Sequence, residues 1–170
     1  MNATLAAWNQ AGEIAAKEAI AACCGSQRWV AAMVAMRPIA SVEELSLAAD
    51  RVWSTMQEAD WLEAFACHPR IGERKAAAHA GKQSTAWSKQ EQARATTAAG
   101  SVLDELAELN ELYEQRFGFT YIVCATGKSA EEMLAILRRR LASSREAEFR
   151  EAAEQQRQIM QIRLGKWLVE

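Results

Sequence analysis

Residues 67–73 read CHPRIGE and set a histidine, a proline, an arginine, a glycine and a glutamate side by side, directly after the apolar run DWLEAFA. The chain has only two histidines, and His68 is one of them. An imidazole titrates near neutral pH, so at a rigid and partly desolvated corner it can work as a general acid or base. Pro69 supplies the rigidity, because proline ends the preceding helix and fixes the direction of the chain, and Gly72 permits a sharp exit. The same histidine at a helix C-terminus can equally do no more than answer the negative end of the helix dipole. Local sequence leaves both roles open.

Two further residues carry comparable chemistry. In SKQEQ, Ser88 stands three residues before Glu91, which is the spacing of a capping box and needs no function. A helix starting there would also offer free backbone amides to an anion, so a site at Glu91 is physically reasonable. Arg140 belongs to a helix in which Met133, Leu134, Ile136, Leu137 and Leu141 form one apolar arc at about 100° per residue. Arg140 falls inside that arc, whereas Arg138 and Arg139 fall outside it. A buried arginine needs an anion or several carbonyls, so Arg140 holds either an internal carboxylate or a substrate carboxylate. Arg70 reads as a solvated charge. His79 reads as exposed and not catalytic, and the basic segment around it, between His68 and Glu91, as a loop whose mobility gates entry.

No metal is expected. His68 and His79 are eleven residues apart with a glycine between them, which is not the spacing of a helical zinc pair, and Cys67 brings no further ligand. Fingerprints for dinucleotides, phosphate loops, zinc proteases and serine hydrolases are absent.

The elements that must position these residues read as helices. RWVAAMVAM stops before Pro38. SVEELSLAADRVWSTM opens with Ser41 and Glu44 in capping-box register. DWLEAFACH is expected to begin at Asp60 and to be ended by Pro69. A long helix is expected from near Ser88 through Leu103, Leu106, Asn110, Tyr113 and Phe117, closed by Gly118. Residues 119–125, FTYIVCA, are apolar and partly β-branched, yet one strand has nothing to pair with, so a buried extended or helical connector is expected. Ser129 and Glu132 start another helix, and EAEFREAAEQQRQIMQIRLGKWL makes a long last one. The fold expected is all-α, a single compact bundle of about seven to nine helices over residues 1–170.

Composition agrees. The 170 residues are half hydrophobic, with two prolines and eight glycines, a mixture that favours helices. A net charge of -2 gives no phosphate-binding surface and no polybasic patch, so neither nucleic acid nor membrane is an expected partner. No apolar run approaches a membrane span. The N-terminus has no secretory pattern, and the cysteines Cys23, Cys24, Cys67 and Cys124 read as small buried residues in a reducing compartment. A cytoplasmic protein is expected.

Taken together, HPRIGE, then SKQEQ, then RFGFTYIVCATGKSAEEML and RRRLASSREAEF resemble the OHCU decarboxylase family, in which OHCU is 2-oxo-4-hydroxy-4-carboxy-5-ureidoimidazoline, an intermediate of urate degradation. CCGSQRWVAAMVAMRPIASVEEL and IMQIRLGKWL are similar to the same family, so the likeness runs nearly end to end. The resemblance implies an all-helical homodimer without metal or organic cofactor, acting on a small ureidoimidazoline to give (S)-allantoin and carbon dioxide. It puts the catalytic histidine on His68, the catalytic glutamate on Glu91 and the substrate-facing arginine on Arg140. It implies substrate contacts from Pro69, from Ser88, Glu91 and Gln92, and from Tyr121, Ile122, Val123, Cys124 and Ala125. The chain departs from the family at Ser143, where asparagine is frequent, and at Tyr121, where phenylalanine is commoner. Two rival readings remain: a helical interaction module in which these residues are structural, and another cofactor-free lyase or hydrolase acting on a related ureide.

Overall fold

The computed structural model describes residues 2–72, 81–95 and 98–169. His79 and the first part of the segment expected to act as a gating loop lie outside the described residues, and the rest of that segment, from Lys82 onward, is not loop but helix. Among the described residues all regular structure is helical, in nine helices: α1 (Ala3–Gln10), α2 (Glu13–Ala21), α3 (Gln27–Ala35), α4 (Val42–Ser54), α5 (Glu58–Ala66), α6 (Lys82–Glu91), α7 (Gly100–Phe117), α8 (Ala130–Arg140) and α9 (Arg145–Trp167). None is long and apolar enough to cross a membrane.

Several ends follow the local chemistry. Ser41 caps α4 by accepting from the Glu44 amide at 3.0 Å, while the Glu44 carboxylate reaches back to the Ala40 amide at 2.9 Å. Ser129 and Glu132 form a complete capping box at the start of α8. Gly118 ends α7 with φ +82, a left-handed conformation that costs glycine nothing. Helix α5 starts two residues before Asp60, because that carboxylate lies inside the first turn and accepts from the Gln57 amide at 2.9 Å.

The long helix expected from Ser88 to Phe117 is instead two. Helix α6 begins at Lys82 and ends at Glu91, and α7 begins at Gly100. Ser88 is therefore no N-cap; it lies in the last turn of α6, where its carbonyl accepts from the Gln92 amide at 3.0 Å. Glu91 closes a helix rather than opening one, so the amide-rich helix start expected beside it is not there.

The chain groups into two units, residues Met1–Ala64 with Arg157–Glu170, and Phe65–Gln156. The first packs α1 on α2, α2 on α3 and α3 on α4. Its core is built on tryptophan. Trp8 meets Trp167 edge-on with ring centroids 5.8 Å apart, and the Trp8 and Trp29 indoles donate to the Ala16 and Ala49 carbonyls at 2.9 and 3.2 Å. Trp8 and Trp29 thus keep their one polar side-chain atom paired in the core.

The second unit packs α7 on α8 around a different set of rings. All four phenylalanines and both tyrosines of the chain meet there in one connected cluster of Phe65, Tyr113, Phe117, Phe119, Tyr121 and Phe149. Their centroids are 4.7 to 6.2 Å apart, the range in which ring pairs add about 0.5–1.5 kcal/mol beyond their burial. Residues 119–125 run through this cluster as a largely buried connector outside any helix, so the helical alternative of the two expected is not taken. Every candidate site residue lies in this unit.

Candidate active site

His68 sits half-buried just beyond α5, its amide donating to the Phe65 carbonyl at 3.1 Å in a last tightening of the helix end. Pro69, also half-buried, stops the helix, and the next three residues are each fastened to another element. Arg70 forms a forked pair with Glu114 of α7, Nε to Oε1 at 2.9 Å and Nη2 to Oε2 at 2.6 Å. This corrects the reading of Arg70 as a solvated charge: the two side chains are 30% and 28% exposed. The planar guanidinium matches the carboxylate, so the bond fixes direction as well as distance. The Ile71 carbonyl accepts from Asn110 Nδ2 at 3.1 Å, and the same nitrogen donates to the Leu106 carbonyl at 2.8 Å. Gly72 turns the chain with φ +85, and its amide donates to Gln92 Oε1 at 3.1 Å.

That last bond brings the two halves of the expected chemistry together. Gln92 is buried and directly follows Glu91, the half-buried last residue of α6. The turn that follows the His68 corner is therefore bonded, through Gly72, to the residue that follows Glu91. Ser88, one turn earlier in α6, is buried as well. Asn110 was legible only as one more member of the apolar run on α7, yet it is fully buried and ties down the corner. An amide on an apolar arc was the available signal.

Arg140 is buried to 4% exposure, as its place on the apolar arc of α8 requires. Of the two partners the sequence left open, the structure supplies the internal one. Arg140 Nε donates to Glu148 Oε1 at 2.6 Å, Nη2 also pairs with that oxygen, and Nη1 donates to the Ile122 carbonyl at 2.6 Å. The Tyr113 hydroxyl donates to the same Glu148 oxygen at 2.5 Å. The guanidinium carbon lies 4.9 Å from the Tyr121 ring centroid, within cation–π range. Burial is the largest single influence on Arg140 and opposes its charge, but the bond to Glu148 together with the charges of Tyr113, Glu148 and Tyr121 outweighs it and holds the pKa above the ordinary value. Burial pushes the Tyr113 and Tyr121 phenols up in turn. The Tyr121 hydroxyl donates to the Met133 carbonyl at 3.1 Å, so this departure from phenylalanine adds a paired group. At Ser143, the other departure, it is the main chain that bonds, its amide to the Arg140 carbonyl at 3.0 Å and its carbonyl to Arg116 at 3.3 Å.

Glu148 escaped the sequence reading, as did Gln156 and Arg163, the other buried polar residues of α9. Arg163 stands among Met160, Leu164 and Trp167 on a buried arc and donates to the Ala22 carbonyl at 3.2 Å. The argument that singled out Arg140 applied to it equally.

Residues 121–125 are all buried, and their main-chain bonds alternate. The Ile122 carbonyl is held by Arg140; the Cys124 amide donates to Gln155 Oε1 at 2.8 Å and its carbonyl accepts from Lys128 Nζ at 2.7 Å. Between them, the amide and carbonyl of Val123 make no hydrogen bond to a described residue, although Val123 is only 4% exposed. Buried main-chain groups are nearly always paired, so a donor and an acceptor left open side by side make Val123 a candidate for contact with a ligand. No group of three or more His, Cys, Asp and Glu suited to a metal occurs among the described residues.

A family model for OHCU decarboxylase matches residues 9–165. A uric acid degradation bifunctional protein of Arabidopsis thaliana is 38% identical over 145 residues, 85% of this chain and 44% of that protein. A 2-oxo-4-hydroxy-4-carboxy-5-ureidoimidazoline decarboxylase of Haloferax volcanii is 29% identical over 81% of this chain and 80% of its own length. The chain thus spans under half of the plant relative and most of the archaeal one. Among solved structures, a crystal structure of OHCU decarboxylase in the presence of (S)-allantoin superposes with a TM-score of 0.78 at 33% identity, covering 91% of this chain and 99% of that one. With the family match running through the His68 corner, the end of α6 and the connector alike, the chain belongs to the OHCU decarboxylase family.

Proposed function

We propose that this chain decarboxylates 2-oxo-4-hydroxy-4-carboxy-5-ureidoimidazoline to (S)-allantoin and carbon dioxide in urate degradation, without metal or organic cofactor. The observation that carries the reading is the bond from the Gly72 amide to Gln92 Oε1. It draws the histidine corner and the glutamate helix end, far apart in sequence, into one neighbourhood with the rigidity that proton transfer needs.

The substrate carries its own electron sink. Its carboxylate sits β to a ring C=N, so the electron pair released with carbon dioxide moves into the imine, whose nitrogen takes up a proton. The resulting enol becomes allantoin when its hydroxyl loses a proton to leave a carbonyl and the neighbouring ring carbon gains one. The protein then has to orient the ring, move protons and meet developing charge. In this scheme His68 handles the proton at the substrate hydroxyl, and Glu91 fixes its orientation and protonation. Pro69 and the buried Ser88 and Gln92 shape the wall beside them. The open amide and carbonyl of Val123, within residues 121–125, read the N–H and C=O edge of the ring or ureido group. Proton delivery from one face sets the S configuration.

The test is to generate the substrate in situ from urate with the two upstream enzymes and follow circular dichroism. Spontaneous decay gives racemic allantoin, so the expected result is a chiral signal that grows with added protein. An optically silent reaction with folded protein would remove the proposal and favour a related ureide as substrate.

A homodimer belongs to the same proposal, on the strength of the family resemblance; size exclusion with light scattering should give twice the chain mass of 18.8 kDa. A cytoplasmic location is supported by four cysteines that form no disulfide, as a reducing compartment requires.

A further inference from the structure

We infer that Arg140 acts from behind residues 121–125, as a positioning residue that aligns and polarises the Val123 amide, with Glu148 and Tyr113 holding Arg140 in place and Gln155 doing the same for the Val123 carbonyl. The inference rests on the reading that Val123 faces the substrate, and it gives Arg140 a different task from a carboxylate clamp.

The geometry of the peptide unit carries it. The one cis peptide among the described residues is Arg37–Pro38, so the Ile122–Val123 peptide is trans and its carbonyl and amide point in opposite directions. Arg140 Nη1 holds the Ile122 oxygen at 2.6 Å. The Val123 hydrogen on that same peptide is then directed away from the guanidinium. A cation bonded to the oxygen also draws electron density along the amide, which strengthens its N–H as a donor. The next peptide is fixed in the complementary sense. Gln155 Oε1 takes the Cys124 hydrogen at 2.8 Å, which directs the Val123 oxygen the other way. The bonds to Ile122 and Cys124 therefore lie on the side of α8 and α9, and the Val123 pair on the other. One donor beside one acceptor complements a cis N–H and C=O, the edge that every cyclic or linear ureide presents.

The rest of the cluster explains why so much charge is buried to hold one carbonyl. A buried ion pair is weak support for stability when apolar side chains can fill the same volume. It is justified where direction matters. Glu148, at 1% exposure, receives both Arg140 and the Tyr113 hydroxyl on Oε1, so the guanidinium has little freedom to turn away from Ile122. On the other flank Gln155 Nε2 donates to Glu151 Oε1 at 2.9 Å, which orients the amide so that its oxygen faces Cys124.

The experiment measures steady-state kinetics and (S)-allantoin binding for wild type, Arg140→Lys, Gln155→Met, and the exchange variant Gln155→Glu with Glu151→Gln, which restores an acceptor at 155 and a donor at 151. Loss of a contact made equally to substrate and transition state raises KM and leaves kcat in place, whereas general damage lowers the active fraction and leaves KM alone. The expected result is a KM and an (S)-allantoin Kd about tenfold higher in Arg140→Lys and Gln155→Met, with kcat within about twofold and recovery in the exchange variant. In protein labelled with 15N-valine, the Val123 amide signal should move on addition of (S)-allantoin. If Arg140→Lys fails to fold, half-buried Gln155 still decides the matter. Unchanged KM in Gln155→Met, or a Val123 amide that ignores (S)-allantoin, overturns the inference while an active wild type leaves the proposed function standing. A wild type that neither turns over nor binds removes both.

Discussion

Glu148 and Arg140 depend on each other more than on anything else around them. Each is nearly inaccessible, and truncating one leaves the other charged and unpaired in a medium that solvates it poorly. Glu148→Ala should lower stability by about 3–5 kcal/mol, read by urea denaturation, and Glu148→Gln by clearly less, because its amide oxygen still accepts. Equal losses in the two would show that volume and not charge governs the site. Arg70 and Glu114 form the contrasting pair. At about a third exposed they are screened, so Glu114→Gln should cost no more than about 1 kcal/mol. Its effect on turnover should be larger, about tenfold, because a corner that drifts carries the histidine with it. A Glu114→Gln enzyme with full kcat would mean that the fork does not position His68. Residues of both kinds were half legible. The place of Arg140 on an apolar arc announced its burial, but only the fold supplied Glu148, which comes from another helix. Arg70 looked solvated because nothing local in HPRIGE shows the carboxylate forty-four residues later.

Among the elements, those whose ends are set by their own residues were read correctly: Ser41 and Ser129 open α4 and α8, and Gly118 closes α7. The break between α6 and α7 was missed because its cause is tertiary. Residues 92–99 hold no proline or glycine, and alanine and glutamine continue a helix readily. What ends α6 in the fold is accompanied by Gln92 turning aside to bond the Gly72 amide. The error moved Glu91 from a supposed helix start to a real helix end, yet left it a site candidate. Gly72 tests how far the corner depends on its turn. An added Cβ would meet Leu103 Cδ2 at 3.6 Å, an ordinary contact, so the cost of Gly72→Ala is backbone strain at φ +85, about 1–2 kcal/mol. Gly118→Ala meets the same strain at φ +82 with open space around it. Thermal melts should show similar losses, whereas activity should fall in Gly72→Ala and hold in Gly118→Ala. Equal activities would detach the turn from the chemistry.

At the scale of the whole molecule, the aromatic cluster sets a limit on alkaline stability. Burial raises the Tyr113 and Tyr121 phenols above their ordinary value of 10.0. The unfolded chain loses those protons from about pH 10 upward while the folded chain keeps them. The folded state then binds more protons, so stability is full below that pH and falls as pH rises past it. Thermal melts should hold steady to about pH 9.5 and then decline. The decline should be shallower in Tyr121→Phe, which removes one of the two phenols. A melting temperature indifferent to pH up to 11, in wild type and variant alike, would contradict this account of the cluster.

The most direct measurement of the central claim is chiral turnover by His68→Asn against wild type, with substrate made in situ and circular dichroism as the readout. Asparagine keeps a polar side chain at the corner and removes the group that titrates near neutral pH. The account requires (S)-allantoin to form with wild type and to fall by at least about a hundredfold with the variant, while the two proteins melt alike. A His68→Asn protein turning over near the wild-type rate would show that the corner is built for something other than proton transfer.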